Sequence, residues 1–210
     1  MDAKILPYSF GADEFRDIRR RLPSTKIDVI FDVGANEGGA AAQFRKHFPS
    51  AEIHCFEPNK DLVQTIQRIG DDINVYSMAL GSKPGVMGLD RSTGYADRFT
   101  LVQDVTGHVV PVDTIDSFCK EHSIQHIGYL KIDTEGHDLE VLRGAQSMLA
   151  RGAIDIAQAE VSMNPDNNLH VSLHAVQGFI EQSGYRLFGL YEQTSEWITR
   201  KPNLSIGLQI

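Results

Sequence analysis

Three short segments of this chain collect residue types that can do chemistry. The first is Asp32-Val33-Gly34-Ala35-Asn36-Glu37-Gly38-Gly39, where an apolar run ends and a helical pattern begins. Glycines at such a junction let the backbone turn sharply and let a ligand lie close against it. A dinucleotide fingerprint would place a glycine at position 36. Asn36 stands there instead, and its side chain would intrude on a pyrophosphate. The second segment is Phe56-Glu57-Pro58-Asn59, where Glu57 closes another apolar run. A carboxylate so placed can accept hydrogen bonds from both hydroxyls of a ribose and would repel a 2′-phosphate. The third is Asp133-Thr134-Glu135-Gly136-His137. Its carboxylates and imidazole can orient a substrate hydroxyl or take its proton, and His137 titrates in the useful range. The same residues also suit a helix N-terminus, with Asp133 or Thr134 as cap and Glu135 complementing the dipole.

These segments need a scaffold that brings them together, and the surrounding pattern supplies one. Strand-like and helix-like stretches alternate, which predicts parallel βαβ units and a doubly wound sheet. Strands are expected at Ile27–Val33, Glu52–Phe56, Ile73–Ala79, Ile127–Ile132 and Ala153–Ala159. Glu160 ends the last of these, next to the strand that delivers Asp133. Helices are expected at Asp13–Arg21, after Gly39, after Asn59, after Thr114, after His137 and over Val171–Gln182, where Gly184 is the expected C-cap. Val86–Val112 lacks a helical period and is punctuated by glycines, so positions 85–112 read as a β-rich insertion. Tyr185–Leu190 and Leu204–Ile210 are expected to close the chain as an antiparallel hairpin. The chain ends inside that expected strand, which leaves open a longer natural protein. The whole reads as one domain over 1–210, with 1–26 as a helical N-terminal extension.

Composition narrows the function classes. The 210 residues carry a formal net charge of −8, which disfavours binding to phosphate backbones. Hydrophobic residues make up 41% and charged residues 23%, with no apolar run long enough for a membrane span. Met1–Phe10 lacks a basic start followed by an apolar run, so no signal peptide is expected and the reading is cytoplasmic. Cys55 and Cys119 read as buried reduced thiols, and no Cys-x-x-Cys pair suggests zinc. Asp133 and Glu160 are too few to make a complete divalent-metal site, so a metal is possible but not assigned. His170 and His174 have helical metal-pair spacing but read as solvent-exposed.

Taken together, Asp32-Val33-Gly34-Ala35-Asn36, Phe56-Glu57-Pro58-Asn59, Ala79-Leu80-Gly81, Leu130-Lys131-Ile132-Asp133-Thr134-Glu135-Gly136-His137 and Val141-Leu142-Arg143-Gly144-Ala145 occur in an order that resembles FkbM-type methyltransferases. The resemblance spans about Ile27 to Gly189. It implies a Rossmann-like class I methyltransferase fold with a mostly parallel seven-stranded sheet and a C-terminal antiparallel hairpin. It also implies S-adenosylmethionine as methyl donor and a hydroxyl of a small molecule or sugar as acceptor. Carried over by position, Gly34, Asn36 and Gly38 would flank the methionine part, with Asp32 and Glu37 in the same motif. Glu57 would hold the ribose, with Pro58 and Asn59 beside it, while Met78 and Ala79 would border the adenine. Asp133 would lie nearest the sulfonium. Glu135 belongs to the motif, whereas position 137 varies within the family. Asp133, Glu135, His137 and Glu160 are the expected catalytic set, with His137 the first candidate for the base and Asp133 or Glu160 orienting or replacing it. Two other readings stand beside this one: an NAD-dependent oxidoreductase, and a non-catalytic protein that only binds S-adenosylmethionine.

Overall fold

The structure is a computed structural model that describes residues 11–90, 100–102, 108–164, 166–167 and 169–193. Its centre is a five-stranded parallel sheet. β1 (Val29–Val33) lies in the middle, flanked by β2 (Glu52–Phe56) and then β3 (Ile73–Tyr76) on one side. β8 (Ile127–Ile132) and then β9 (Ile154–Ala159) lie on the other side. The chain therefore builds outward from β1 in one direction and then reverses, which opens a crevice at the C-terminal ends of β1 and β8.

These strands are apolar almost throughout because both faces of the sheet are covered. Successive side chains point to opposite faces, and the core divides accordingly. Ile30, Ile53, Cys55 and Tyr129 pack with Ile18 of α1 (Glu14–Arg21), with Ala41 and Phe44 of α2 (Gly39–His47), and with Ile66 of α3 (Lys60–Gln67). Their chain neighbours Phe31, Phe56 and Leu130 face the other way. They pack with Phe118 of α4 (Ile115–Glu121), Val141 and Leu142 of α5 (Asp138–Arg143), and Met148 and Leu149 of α6 (Gln146–Ala150). The apolar spacing of each helix thus buries one stripe on the sheet. Asp13 caps α1 by accepting from the Arg16 N–H, and Asn59 caps α3 by accepting from the Asp61 N–H.

The expected seven-stranded sheet with a C-terminal antiparallel hairpin is not what the chain forms. The expected third strand, Ile73–Ala79, breaks in two. The Met78 N–H donates to the Tyr76 carbonyl at 2.9 Å, which turns the chain out of the main sheet. The two residues of β4 (Ala79–Leu80) then pair with β7 (His108–Asp113). With β5 (Gly85–Asp90) and β6 (Thr100–Val102) they make a second sheet, in the order β4-β7-β5-β6. At the C-terminal side the last described helix is α7 (Leu173–Ile180), followed by a 3-10 turn over Glu181–Ser183. Tyr185–Leu190 pairs with no strand among the described residues. The Tyr185 hydroxyl instead donates to the Ile154 carbonyl, fixing this segment over the sheet through a side chain. The other half of the expected hairpin, Leu204–Ile210, lies outside the described residues.

Candidate active site

The crevice is built by two loops in direct backbone contact. Gly34 follows β1 with φ +79°, and a Cβ there would fall 1.9 Å from the Asp133 carbonyl oxygen. Only glycine permits both that conformation and that approach. The Asp133 N–H in turn donates to the Val33 carbonyl at 2.9 Å. Beyond Gly34, Asn36 also takes a positive φ, and Gly38 precedes α2 in the left-handed region. No side chain caps α2 and no acidic residue occupies its first turn. Its positive end is therefore available to an anionic ligand group. Asn36 and Glu37 are exposed at the rim.

Glu57 is the buried anchor of this half. Its Oε2 accepts from the Asn36 N–H at 2.9 Å and its Oε1 from the Asn59 N–H at 2.7 Å. The carboxylate thereby ties the glycine loop to the loop after β2. Burial raises its pKa, and the two N–H donors oppose that shift. Each oxygen keeps a lone pair for a ligand hydroxyl. Pro58 is half-buried beside it and Asn59 is buried. Met78 packs against the sheet core, whereas Ala79 is buried in the small cluster under the second sheet.

Under the crevice lies an ionic group that sequence reasoning did not isolate. The strand register places Asp32 directly beside Lys131. Lys131 Nζ lies 3.4 Å from Asp32 Oδ1 and 3.1 Å from Asp133 Oδ2. Burial works against the ammonium, but the two carboxylates outweigh it and hold the Lys131 pKa above its ordinary value. Asp32 is fully buried, which raises its pKa despite Lys131. The available signal was a single charge, one residue before the end, in each of two neighbouring apolar strands.

The acidic half gathers at the ends of β8 and β9. Asp133 is partly exposed. Glu135 has φ +52°, and Gly136 has φ +95° with its α-carbon so close to the next loop that a Cβ would fall 2.1 Å from the Leu169 carbonyl oxygen. That contact seats the loop after β9 on this turn. It brings His170 to Glu160, with Nδ1 and Oε2 at 3.2 Å. Burial first, then the Asp133, Glu135 and Asp138 carboxylates, push Glu160 up to about 7 against the pull of His170. The expected exposed His170 is thus corrected: its side chain is 13% exposed and pairs with Glu160, while His174 faces solvent. The expected helix cap is also absent. The N-cap of α5 is His137, with no side-chain cap, and Thr134 instead donates to the buried Asp138 at 3.1 Å. Asp138 was not singled out from the sequence. His137 lies apart from the Glu160 group, since its Nε2 would be 3.2 Å from a Cβ on Gly81. Burial lowers its pKa, with Glu140 and Asp138 opposing.

The model of the Methyltransferase FkbM domain matches residues 32–187, from the buried aspartate of β1 to beyond α7. The 2-O-methyltransferase NoeI of Sinorhizobium fredii is 23% identical over 146 residues, covering 59% of this chain and 59% of its own. The hexuronic acid methyltransferase AglP of Haloferax volcanii is 25% identical over 142 residues, covering 66% of this chain and 58% of its own. The chain spans less than two thirds of the length of either relative.

Proposed function

This chain belongs to the FkbM methyltransferase family, and on that premise we propose that it is an S-adenosylmethionine-dependent O-methyltransferase acting on a hydroxyl of a sugar or another small molecule. The observation that carries this reading is Glu57: a buried carboxylate, held by N–H groups from two loops, at the mouth of the crevice. The residues present fit an adenosylated amino acid. Gly34, Asn36 and Gly38, with the uncapped start of α2, would receive its charged methionine end. Glu57, with Pro58 and Asn59 beside it, would hold the ribose. Met78 and Ala79 would flank the adenine, while Asp32 and Glu37 complete the loop. Bound there, S-adenosylmethionine supplies a methyl group already activated for transfer.

The protein's own task is then to align an acceptor oxygen and remove its proton. Asp133, held by Lys131, orients the hydroxyl. The proton goes to the carboxylates at the ends of β8 and β9, because Asp133, Glu135 and Glu160 converge there. His137 borders the mouth from the Gly81 side and plays a smaller part. The two relatives named for methylation of a 2-hydroxyl and of a hexuronic acid support a sugar acceptor. A cytoplasmic setting is supported by the two free, buried cysteines. Among the described residues no helix is long and apolar enough to cross a membrane.

The reading is tested by calorimetric titration with S-adenosylhomocysteine. Saturable binding that Glu57→Ala abolishes is the expected result. A folded protein that binds none would overturn it, and NADH would be the next ligand to try.

A further inference from the structure

The Glu160–His170 contact is unusual for an ion pair. Nδ1 and Oε2 lie 3.2 Å apart, both are shielded from solvent, and neither makes a hydrogen bond among the described residues. Two polar atoms pressed together without hydrogen-bond alignment share the geometry of two ligands on one ion. Donors at about 2.1 Å from a cation sit roughly 3.0 to 3.4 Å apart for octahedral to tetrahedral angles. Glu135 completes the set, since one donor atom from each of Glu135, Glu160 and His170 lies within 4.8 Å of the other two. A further observation points the same way. Asp138 is fully buried against the Glu160 backbone, and its Oδ1 has no hydrogen-bond partner among the described residues. A positive charge at the mouth of this pocket would offset that accumulation of carboxylates.

We infer that Glu135, Glu160 and His170 form a binding site for one first-row divalent cation, of which Mn²⁺ is the working probe. Two carboxylate oxygens and one imidazole nitrogen suit a hard to borderline ion, and their two charges balance it. Three protein ligands leave positions open for water and for an oxygen of the acceptor, the arrangement of a catalytic rather than a structural site. Resting on the methyltransferase reading above, this makes the acceptor hydroxyl a ligand of the cation, which acidifies it. The O–H bond breaks, the proton passes to Asp133, and the electron pair stays on the cation-bound oxygen. Glu135 itself stands in the left-handed backbone region, with φ +52°.

The experiment titrates MnCl₂ into the full chain, following free Mn²⁺ by electron paramagnetic resonance. S-adenosylhomocysteine binding is measured calorimetrically in the same samples. One Mn²⁺ per chain is expected. Glu160→Gln and His170→Ala should each weaken it roughly tenfold or more, while His174→Ala, four residues on and exposed, leaves it unchanged. Circular dichroism establishes that each variant is folded; should Glu160→Gln fail to fold, His170→Ala carries the test. The absence of saturable binding overturns the site, as does equal binding in all three variants, which marks an acidic surface that merely attracts cations. S-adenosylhomocysteine binding without Mn²⁺ binding overturns the cation site and leaves the methyltransferase reading intact. Mn²⁺ binding without S-adenosylhomocysteine binding supports the cation site and removes the methyltransferase reading.

Discussion

At the scale of single residues, the site divides into groups whose partners are near in sequence and groups whose partners are not. Glu57 and the glycine loop were legible because each sits at the end of an apolar run, where parallel strands deliver their functional residues. Lys131, Asp138 and His170 were not, because their meaning comes from strand register or from a loop that folds back. Lys131 gives a direct test. Its ammonium is the one cation that the described ion pairs place against the buried Asp32. Removing one partner of a buried pair leaves an uncompensated charge, so Lys131→Met should destabilise the fold by about 3 kcal/mol in urea unfolding. Because the folded pKa of Lys131 is raised above its ordinary 10.5, its contribution is complete below that value and fades only as pH rises through the folded pKa. The penalty of the substitution should therefore be constant between about pH 7 and pH 9. A second test separates the Glu160 side of the crevice from the His137 side. Glu160→Gln should lower kcat by roughly 10² or more with cofactor binding unchanged, whereas His137→Ala should cost less than about tenfold. The reverse order would move the chemistry to the Gly81 side.

At the scale of elements, the alternation of strands and helices was readable because each apolar run was bounded by turn residues. The departure at Ser77 was not, since Ile73–Ala79 has the composition of one continuous strand and only the local hydrogen bond at Met78 ends it. Pattern reports burial and does not report which sheet a short strand joins. The long helix expected after His137 similarly splits into α5 and α6 at Gly144. Two substitutions probe how elements hold the site. Phe118 of α4 stacks edge-on against Phe31, Phe56 and Tyr76, with ring centroids 5.7, 4.8 and 4.8 Å away. Phe118→Ala should cost about 3–5 kcal/mol in unfolding measurements, by transfer and cavity terms together. Gly34→Ala is the sharper case. The obstructing atom is backbone at the end of β8, which the sheet prevents from yielding. Loss of S-adenosylhomocysteine binding is expected even in protein that still folds, and calorimetry on the purified variant checks it.

At the scale of the whole molecule, the ligand and the fold are linked. The crevice joins the loops of β1, β2 and β8, so a ligand bound there would stabilise three strands of the central sheet. With S-adenosylhomocysteine at 100 times its Kd, mass action adds about 2.7 kcal/mol. For a chain of this size that is a rise in Tm of roughly 5 to 10 °C. Thermal scans with and without the ligand measure it, and an unchanged Tm would contradict binding at the crevice. The net charge of −8 acts on the same scale. A charge of that sign opposes association with phosphate backbones. Tyr95, Arg98 and Phe99, whose types suit either a sugar ring or packing within the β-rich insertion with a surface arginine, lie outside the described residues.

The turn after β8 touches its neighbours at two glycine-dependent seams, one with Gly34 and one, through Gly136, with Leu169. The first joins the turn to the glycine loop after β1 and the second to the loop that delivers His170. Separate seams make the two halves separable parts. On the reading proposed above, an exchange of the loop after β9 would have to keep the backbone at Leu169 in place, because a Cβ at Gly136 would fall 2.1 Å from its carbonyl oxygen. The turn after β8 is thus a hinge pin between two parts of the crevice, and a substitution at either glycine would loosen one part and leave the seam with the other intact.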